Sequence, residues 1–158
     1  MADTVKIGNL CAGSGYPPLF VAEVGTFFNQ DMDKAEQLLD AAVKGGADIF
    51  KTEILHSADV CLKQSDLRHT YYHAKGSHQE NYRALVERKI VSLDAYSRLF
   101  ELCRKKKIPF VASVYDLEGI DFLVAEGGAG IKISRDNVNN IPLLEHAGKT
   151  GLPVIMDV

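Results

Sequence analysis

Five short runs along the chain are almost continuously apolar: Leu19–Val24, Ala47–Ile54, Pro109–Tyr115, Gly130–Ser134 and Pro153–Val158. Continuous rather than alternating apolarity suits strands covered on both faces, as in a parallel sheet. Between these runs the period changes. From Met32 to Lys44, the residues Met32, Ala35, Leu38, Leu39, Ala42 and Val43 recur at helical spacing. Asp31 is placed to cap the start of this helix and Gly45 its end. The same pattern predicts helices over Leu93–Lys106, behind the cap Ser92, and over Leu117–Glu126, behind the cap Asp116. Arg104–Lys107 fall at the negative end of the first of these. A fourth helix, Ile141–Gly148, follows Asn140 and carries Pro142 in its first turn, where a missing N–H is tolerated.

Strands alternating with helices predict parallel βαβ units. Two segments break the rhythm. Val5–Pro18, with Gly8, Gly13 and Gly15, reads as a small hairpin placed to plug the bottom of a barrel. His56–Ile90 is a long polar insertion holding Tyr71, Tyr72, Tyr82 and four of the five histidines, with a short helix expected at about Glu80–Glu87. Loops of this length are usually functional or mobile.

Two α/β folds accept this pattern. A doubly wound, flavodoxin-like sheet closes in about 150 residues, and a TIM barrel needs about 250. Length favours the first and detail the second. No glycine-rich nucleotide loop follows the first strand, where Gly25 leads into Thr26–Phe27–Phe28–Asn29, and the last run has no helix to cover it. The expected fold is therefore α/β, a partial (β/α)8 TIM barrel with roughly the first five parallel strands and an N-terminal hairpin. Residues 1–18 supply the hairpin and 19–158 the strands.

Composition changes this picture little. In 158 residues, 46% are hydrophobic and 25% charged, which is ordinary for a globular domain. The net charge of −3 implies no basic face, so nucleic acid is not an expected partner. No apolar run is long enough to span a bilayer and no leader is evident, so a cytoplasmic protein without a membrane segment is expected. Cys11, Cys61 and Cys103 form no C-x-x-C pair, which fits a reducing compartment.

The strand ends carry the candidate chemistry. They read Glu23, then Lys51 with Glu53, then Ser113, then Lys132 with Ser134 and Arg135, then Asp157. In parallel α/β folds, ligands meet the C-terminal strand ends, and in a barrel those tips converge on one mouth. Two lysines and an arginine beside carboxylates suit a small anion such as a phosphate or carboxylate. Alternatively, Lys51 and Lys132 pair with Glu23, Glu53 or Asp157, or one of them forms a Schiff base in an aldolase-type barrel. His56, His69, His73 and His78 lack a supporting carboxylate pattern and read as surface or substrate-loop residues, not metal ligands. His146 reads as a helix-surface residue, and Tyr71–Tyr72 as either a packed loop or a platform for a sugar ring.

Several segments, in order and spacing, resemble the sialic acid synthase family, which includes N-acetylneuraminate, legionaminate and pseudaminate synthases. They are Phe20-Val-Ala-Glu-Val-Gly25, Asp40-Ala-Ala-Val-Lys-Gly-Gly-Ala-Asp48 with Phe50-Lys-Thr-Glu53, Phe110-Val-Ala-Ser-Val-Tyr-Asp116, Ile131-Lys-Ile133, and Asn139-Asn-Ile-Pro-Leu-Leu144 through Lys149-Thr-Gly-Leu-Pro-Val154. The resemblance implies an enzyme that condenses phosphoenolpyruvate with an N-acyl hexosamine to give a nonulosonic acid. A divalent metal, manganese or magnesium, polarises the sugar aldehyde in that family. It implies a catalytic, sugar-contacting role for Glu23. Lys51, Ser113 and Lys132 fall where the family holds phosphoenolpyruvate, and Glu53 and Arg135 belong to the same substrate-binding set.

The chain departs from the family pattern at four places. Phe27 and Phe28 replace Asn-His, Glu53 replaces Gln, Ser134-Arg135-Asp136 replaces Ser-Gly, and Asp157-Val158 stands where Ser-Thr-Gly is usual. The family's metal-binding histidines lie on later strands, followed by an antifreeze-like domain, and neither is in this sequence. The expectation is a divergent member that is inactive as this chain alone. It would form a homodimer or associate with the missing barrel half. A non-catalytic binding or regulatory domain on the same scaffold is the alternative.

Overall fold

The computed structural model describes residues 4–61, 63 and 66–157. The chain opens with an antiparallel hairpin of β1 (Thr4–Ile7) and β2 (Leu10–Gly13). Next come β3 (Val21–Gly25), α1 (Met32–Lys44) and β4 (Ile49–Glu53). The insertion holds a second hairpin, β5 (Arg68–His73) and β6 (Gly76–Asn81), and then α2 (Tyr82–Glu87). The alternation resumes with α3 (Leu93–Lys105), β7 (Phe110–Ser113), α4 (Leu117–Ala125), β8 (Gly130–Ile133), α5 (Ile141–Lys149) and β9 (Val154–Met156).

The five long-range strands form one sheet in the order β3-β4-β7-β8-β9, and every neighbouring pair is parallel. The order never reverses. A doubly wound sheet needs a reversal to put helices on both faces, so this is the singly wound, partial TIM barrel. Each predicted strand is one to three residues longer in total than the observed one, the first also stopping at Val24, one residue before the end of β3, and Val158, the end of the last one, lies outside the described residues.

Local chemistry fixes the helices. Asp31, Asn81, Ser92, Asp116 and Asn140 each accept a hydrogen bond at a helix start, from the backbone N–H of Lys34, Ala84, Ala95, Gly119 and Leu143. At the end of α1 the left-handed residue is Gly46 (φ 79°), one position beyond the expected Gly45. Arg104 and Lys106 do more than complement a dipole: Arg104 binds Glu126 at 3.0 Å and Lys106 pairs with Asp40, tying α3 to its neighbours.

The two faces of the sheet divide the strand residues by alternation. Phe50, Phe110, Ala112, Ile131 and Ile133 face the helices and pack with Leu39, Leu99, Phe100, Ile120, Leu123 and Leu143. Each of these buried side chains except Ala112 contributes roughly 1.5–3 kcal/mol. At Gly128, between α4 and β8, an added Cβ would lie 2.4 Å from Leu123 Cδ1 and 3.0 Å from the Leu123 carbonyl oxygen, so the buried Leu123 side chain would have to move. On the opposite face, Ile49, Val111, Ala129 and Ile155 pack with Ile7, Leu10 and Ala12 of the first hairpin. These are residues from the starts of the strands, so the hairpin plugs the bottom of the barrel segment.

The insertion departs most from expectation. Its short helix is present, but the β5–β6 hairpin was not legible. Tyr71 stands between His69 and His78, with ring centroids 4.7 and 6.0 Å away, and Tyr71 and Arg88 both donate to Glu80. Arg88 first, then Tyr71, pull the Glu80 carboxyl from its ordinary 4.5 to about 2. A carboxylate whose folded value is depressed stabilises the fold above its unfolded value, and this stabilisation is lost as pH falls through the folded one. The Glu80 contribution should therefore be complete above about pH 4.5 and disappear toward pH 2. Amide chemical shifts of the hairpin, followed by nuclear magnetic resonance, should move in that window. Shifts that complete their change around pH 4.5 would contradict it.

Candidate functional site

At the C-terminal tips, alternation turns Glu23, Lys51, Glu53, Ser113, Lys132 and Asp157 to the face opposite the helices. The register aligns them in two rows. Glu23 lies beside Lys51, and Glu53, Ser113 and Lys132 lie beside one another on successive strands. Lys51 is buried and ion-paired with Glu23; Lys132 is buried and ion-paired with Asp157. Ser113, also buried, sits on the strand between the two lysines. Lys132 holds the Asp157 carboxyl below the usual carboxylate range, and Lys51 and Arg135 act in the same sense. Lys51, Ser113, Lys132 and Asp157 thus lie on one face of the sheet at its C-terminal edge. Arg135 lies exposed in the one-turn 3₁₀ helix Arg135–Asn137 that follows β8.

Gly25 shapes the floor beneath the carboxylates. It has φ +55°, and a Cβ there would meet Glu53 Oε1 at 3.3 Å and Glu23 Oε1 at 3.5 Å. The strand is irregular at this point, shifting register between Glu23 and Gly25, and Thr52 Oγ1 donates to the Gly25 carbonyl at 2.9 Å. A bulge at a strand tip re-aims the side chains beside it.

Glu53 is turned toward a second feature. The Tyr115 hydroxyl donates to Glu53 Oε2 at 2.7 Å, and the two residues line a cavity of about 240 Å³ with Thr26, Tyr82 and Asp136. Burial first, then the Glu53 charge, push the Tyr115 phenol well above its ordinary value, so it remains a donor. Tyr115, Tyr82 and Asp136 were not anticipated. The signal for Tyr115 was present, since it follows Ser113 by two residues and the alternation carries it onto the same face. Tyr82 and Asp136 arrive from separate elements, and nothing local announces them.

Other sequence candidates lie elsewhere. Phe28, where the family pattern has a polar residue, is fully buried against Tyr96, edge to face at 6.5 Å, and belongs to the helix-side core. It is no part of the mouth, whereas Phe27 is 76% exposed. His56 Nε2 lies 3.1 Å from Asp116 Oδ1, and His146 Nε2 lies 2.6 Å from Asp121 Oδ1. His69 and His78 flank Tyr71, and His73 accepts from the Lys75 N–H. Among the described residues, no group of three or more His, Cys, Asp or Glu side chains is placed to hold a metal ion. Nor is any described helix long and apolar enough to cross a membrane.

A singly wound sheet of five parallel strands, with cations, carboxylates and a hydroxyl along its C-terminal edge, defines the class: a partial (β/α)8 barrel. Residues 38–158 match the NeuB family, and the chain belongs to that family. It is 32% identical over 154 residues to an uncharacterized protein of Methanocaldococcus jannaschii, covering 98% of this chain and 41% of the other. It is 27% identical to the N,N'-diacetyllegionaminic acid synthase of Legionella pneumophila, covering 91% of this chain and 40% of that protein. A crystal structure of N-acetylneuraminic acid synthetase from Leptospira borgpetersenii, in complex with citrate, superposes with a TM-score of 0.81 at 25% identity. That match covers 97% of this chain and 48% of the other. The chain spans about 40% of the length of the curated relatives it matches.

Proposed function

We propose that this chain is the phosphoenolpyruvate-binding part of an enzyme that condenses phosphoenolpyruvate with an N-acyl hexosamine to give a nonulosonic acid. One observation carries the reading: two buried lysines, Lys51 and Lys132, lie on the strands either side of Ser113 at the C-terminal edge of the sheet. Fixed cations in a partly dry site bind a multiply charged anion far better than exposed ones. Their ion pairs with Glu23 and Asp157 neutralise them without ligand, and an enol phosphate would take over the two ammonium groups. Arg135 adds an exposed fork that suits phosphate oxygens. Glu23, released from Lys51, would face the sugar.

In the reaction, C3 of phosphoenolpyruvate forms a bond to the aldehyde carbon, water adds at C2 and phosphate departs. A divalent metal, manganese or magnesium, would polarise the aldehyde. The described residues of this chain offer no ligand cluster for it. The test uses the intact protein with phosphoenolpyruvate, N-acetylmannosamine and manganese. Inorganic phosphate should appear in step with a nonulosonic acid. Phosphoenolpyruvate binding with no turnover on any N-acyl hexosamine would end the condensing role and leave a binding or regulatory one.

A further inference from the structure

Among the described residues, Thr52 is buried more deeply than any other Thr, Ser or Lys, at 0% exposed. It faces away from the mouth. The register sets it in a row with Ala112 and Ile131, and both of those belong to the helix-side core. Valine has the same branched shape, and a hydroxyl placed among apolar side chains without a partner costs free energy. What separates Thr52 from a valine here is one bond: its Oγ1 donates to the Gly25 carbonyl at 2.9 Å, out of reach of solvent.

That bond joins β3 to β4 where their pairing is irregular. Glu23 pairs with Lys51 and Gly25 with Thr52, so β3 uses two residues where β4 uses one, and Val24 is the extra residue. Gly25 takes the left-handed conformation there, and the chain turns at once, with the Phe27 N–H donating to the Val24 carbonyl at 3.2 Å. A strand continuing regularly past Glu23 would need neither the positive φ nor the turn. The bulge sends Val24 into the helix-side core and leaves the Glu23 carboxylate lying against Gly25. The Glu23 side chain is half-exposed, so burial does not fix its direction. What holds it is the ion pair with Lys51 and the bulged backbone beneath it.

We infer that Thr52 is a positioning residue for Glu23: by holding the Gly25 carbonyl from the helix side, it fixes the bulge that aims Glu23 at Lys51. Its consequence for turnover rests on the condensation reading above, in which Glu23 faces the sugar. Ser113 and Lys132 stand on other strands and do not depend on the bulge. Loss of the Thr52 bond should therefore disturb the step that uses Glu23 more than the binding of phosphoenolpyruvate.

The test compares the intact wild type with Thr52→Val, which keeps the shape and removes the donor, and with Thr52→Ser, which restores the donor. The first readout is the Glu23 side-chain carboxyl resonance by carbon-13 nuclear magnetic resonance near neutral pH. The Asp157 carboxyl, paired with Lys132, is the internal reference. The Glu23 signal should move in Thr52→Val and return in Thr52→Ser, while the Asp157 signal stays in place in both. The second readout is turnover of phosphoenolpyruvate with N-acetylmannosamine. Thr52→Val should lower kcat about tenfold, change the calorimetric phosphoenolpyruvate affinity by no more than about twofold, and Thr52→Ser should recover most of the loss. A Glu23 resonance that stays put in Thr52→Val, or is displaced equally in Thr52→Ser, overturns the inference. So does an equal displacement of Asp157, which would report a general loosening of the sheet, or an unchanged kcat in an active enzyme. A wild type without turnover counts against the condensation reading alone, and the resonances still decide whether Thr52 aims Glu23.

Discussion

Replacing Lys51 with alanine in the intact protein should weaken phosphoenolpyruvate binding by about 100-fold or more. Lys51 is only 8% exposed, so its charge is not readily supplied by water or salt. Removing it takes away a desolvated cation and leaves Glu23 as a fixed negative charge beside the incoming anion. Both effects act against the ligand. The fold should survive, because Glu23 is half-exposed and can be rehydrated once unpaired. Lys51→Met is the control that keeps the apolar stem and removes only the charge. Calorimetry should show the same loss in both variants. Unchanged affinity in either would sink the anion-site assignment. Binding that weakens with added salt by the same factor in wild type and variant would place the anion at an exposed cation instead.

The largest expected effect on stability is at Phe100. Phe100→Ala should destabilise the protein by about 3–5 kcal/mol. The ring is fully buried on α3 and stacks on Phe110 of β7 with centroids 4.2 Å apart and planes 8° from parallel. Tyr96 and Phe122 lie at 6.2 and 6.1 Å. The ring therefore joins a helix, the central strand and the next helix, and no neighbouring side chain can collapse into the space without leaving another gap. Urea unfolding of the intact protein measures it. A loss below about 1 kcal/mol, outside the range for deleting a buried aromatic ring, would show that the helix layer is packed more loosely than this arrangement requires.

Much of the candidate site was legible because two periods sufficed to read it. A strand alternates every two residues, so once Lys51, Ser113 and Lys132 were placed near strand ends, their shared face followed. The pairings did not follow. Lys51 could have met Glu23, Glu53 or Asp157, and its choice of Glu23 depends on strand register and on the irregularity before Gly25. Phe28 shows the opposite failure. The family pattern has a polar residue at its position, but the turn after β3 rotates Phe28 into the helix layer, where Tyr96 receives it.

The β5–β6 hairpin was hidden for a different reason. Its residues Arg68–His73 and Gly76–Asn81 are polar on both faces, so no hydrophobic alternation marks them. They pair through Tyr71, His78 and Glu80, with Arg88 reaching back from beyond α2.

By itself the sequence determined the alternating strands and helices and their order, though not the β5–β6 hairpin, because helix caps, apolar periods and breaks between them act within a few residues along the chain. It also determined which face of each strand would carry charge. Tertiary structure alone decided which cation meets which carboxylate, and that Glu53 turns away from Lys51 to Tyr115. It also decided that the insertion and the turn after β8 enclose a cavity between them. Those outcomes depend on contacts between residues tens of positions apart, whose geometry is set only when the sheet curls and the helices pack.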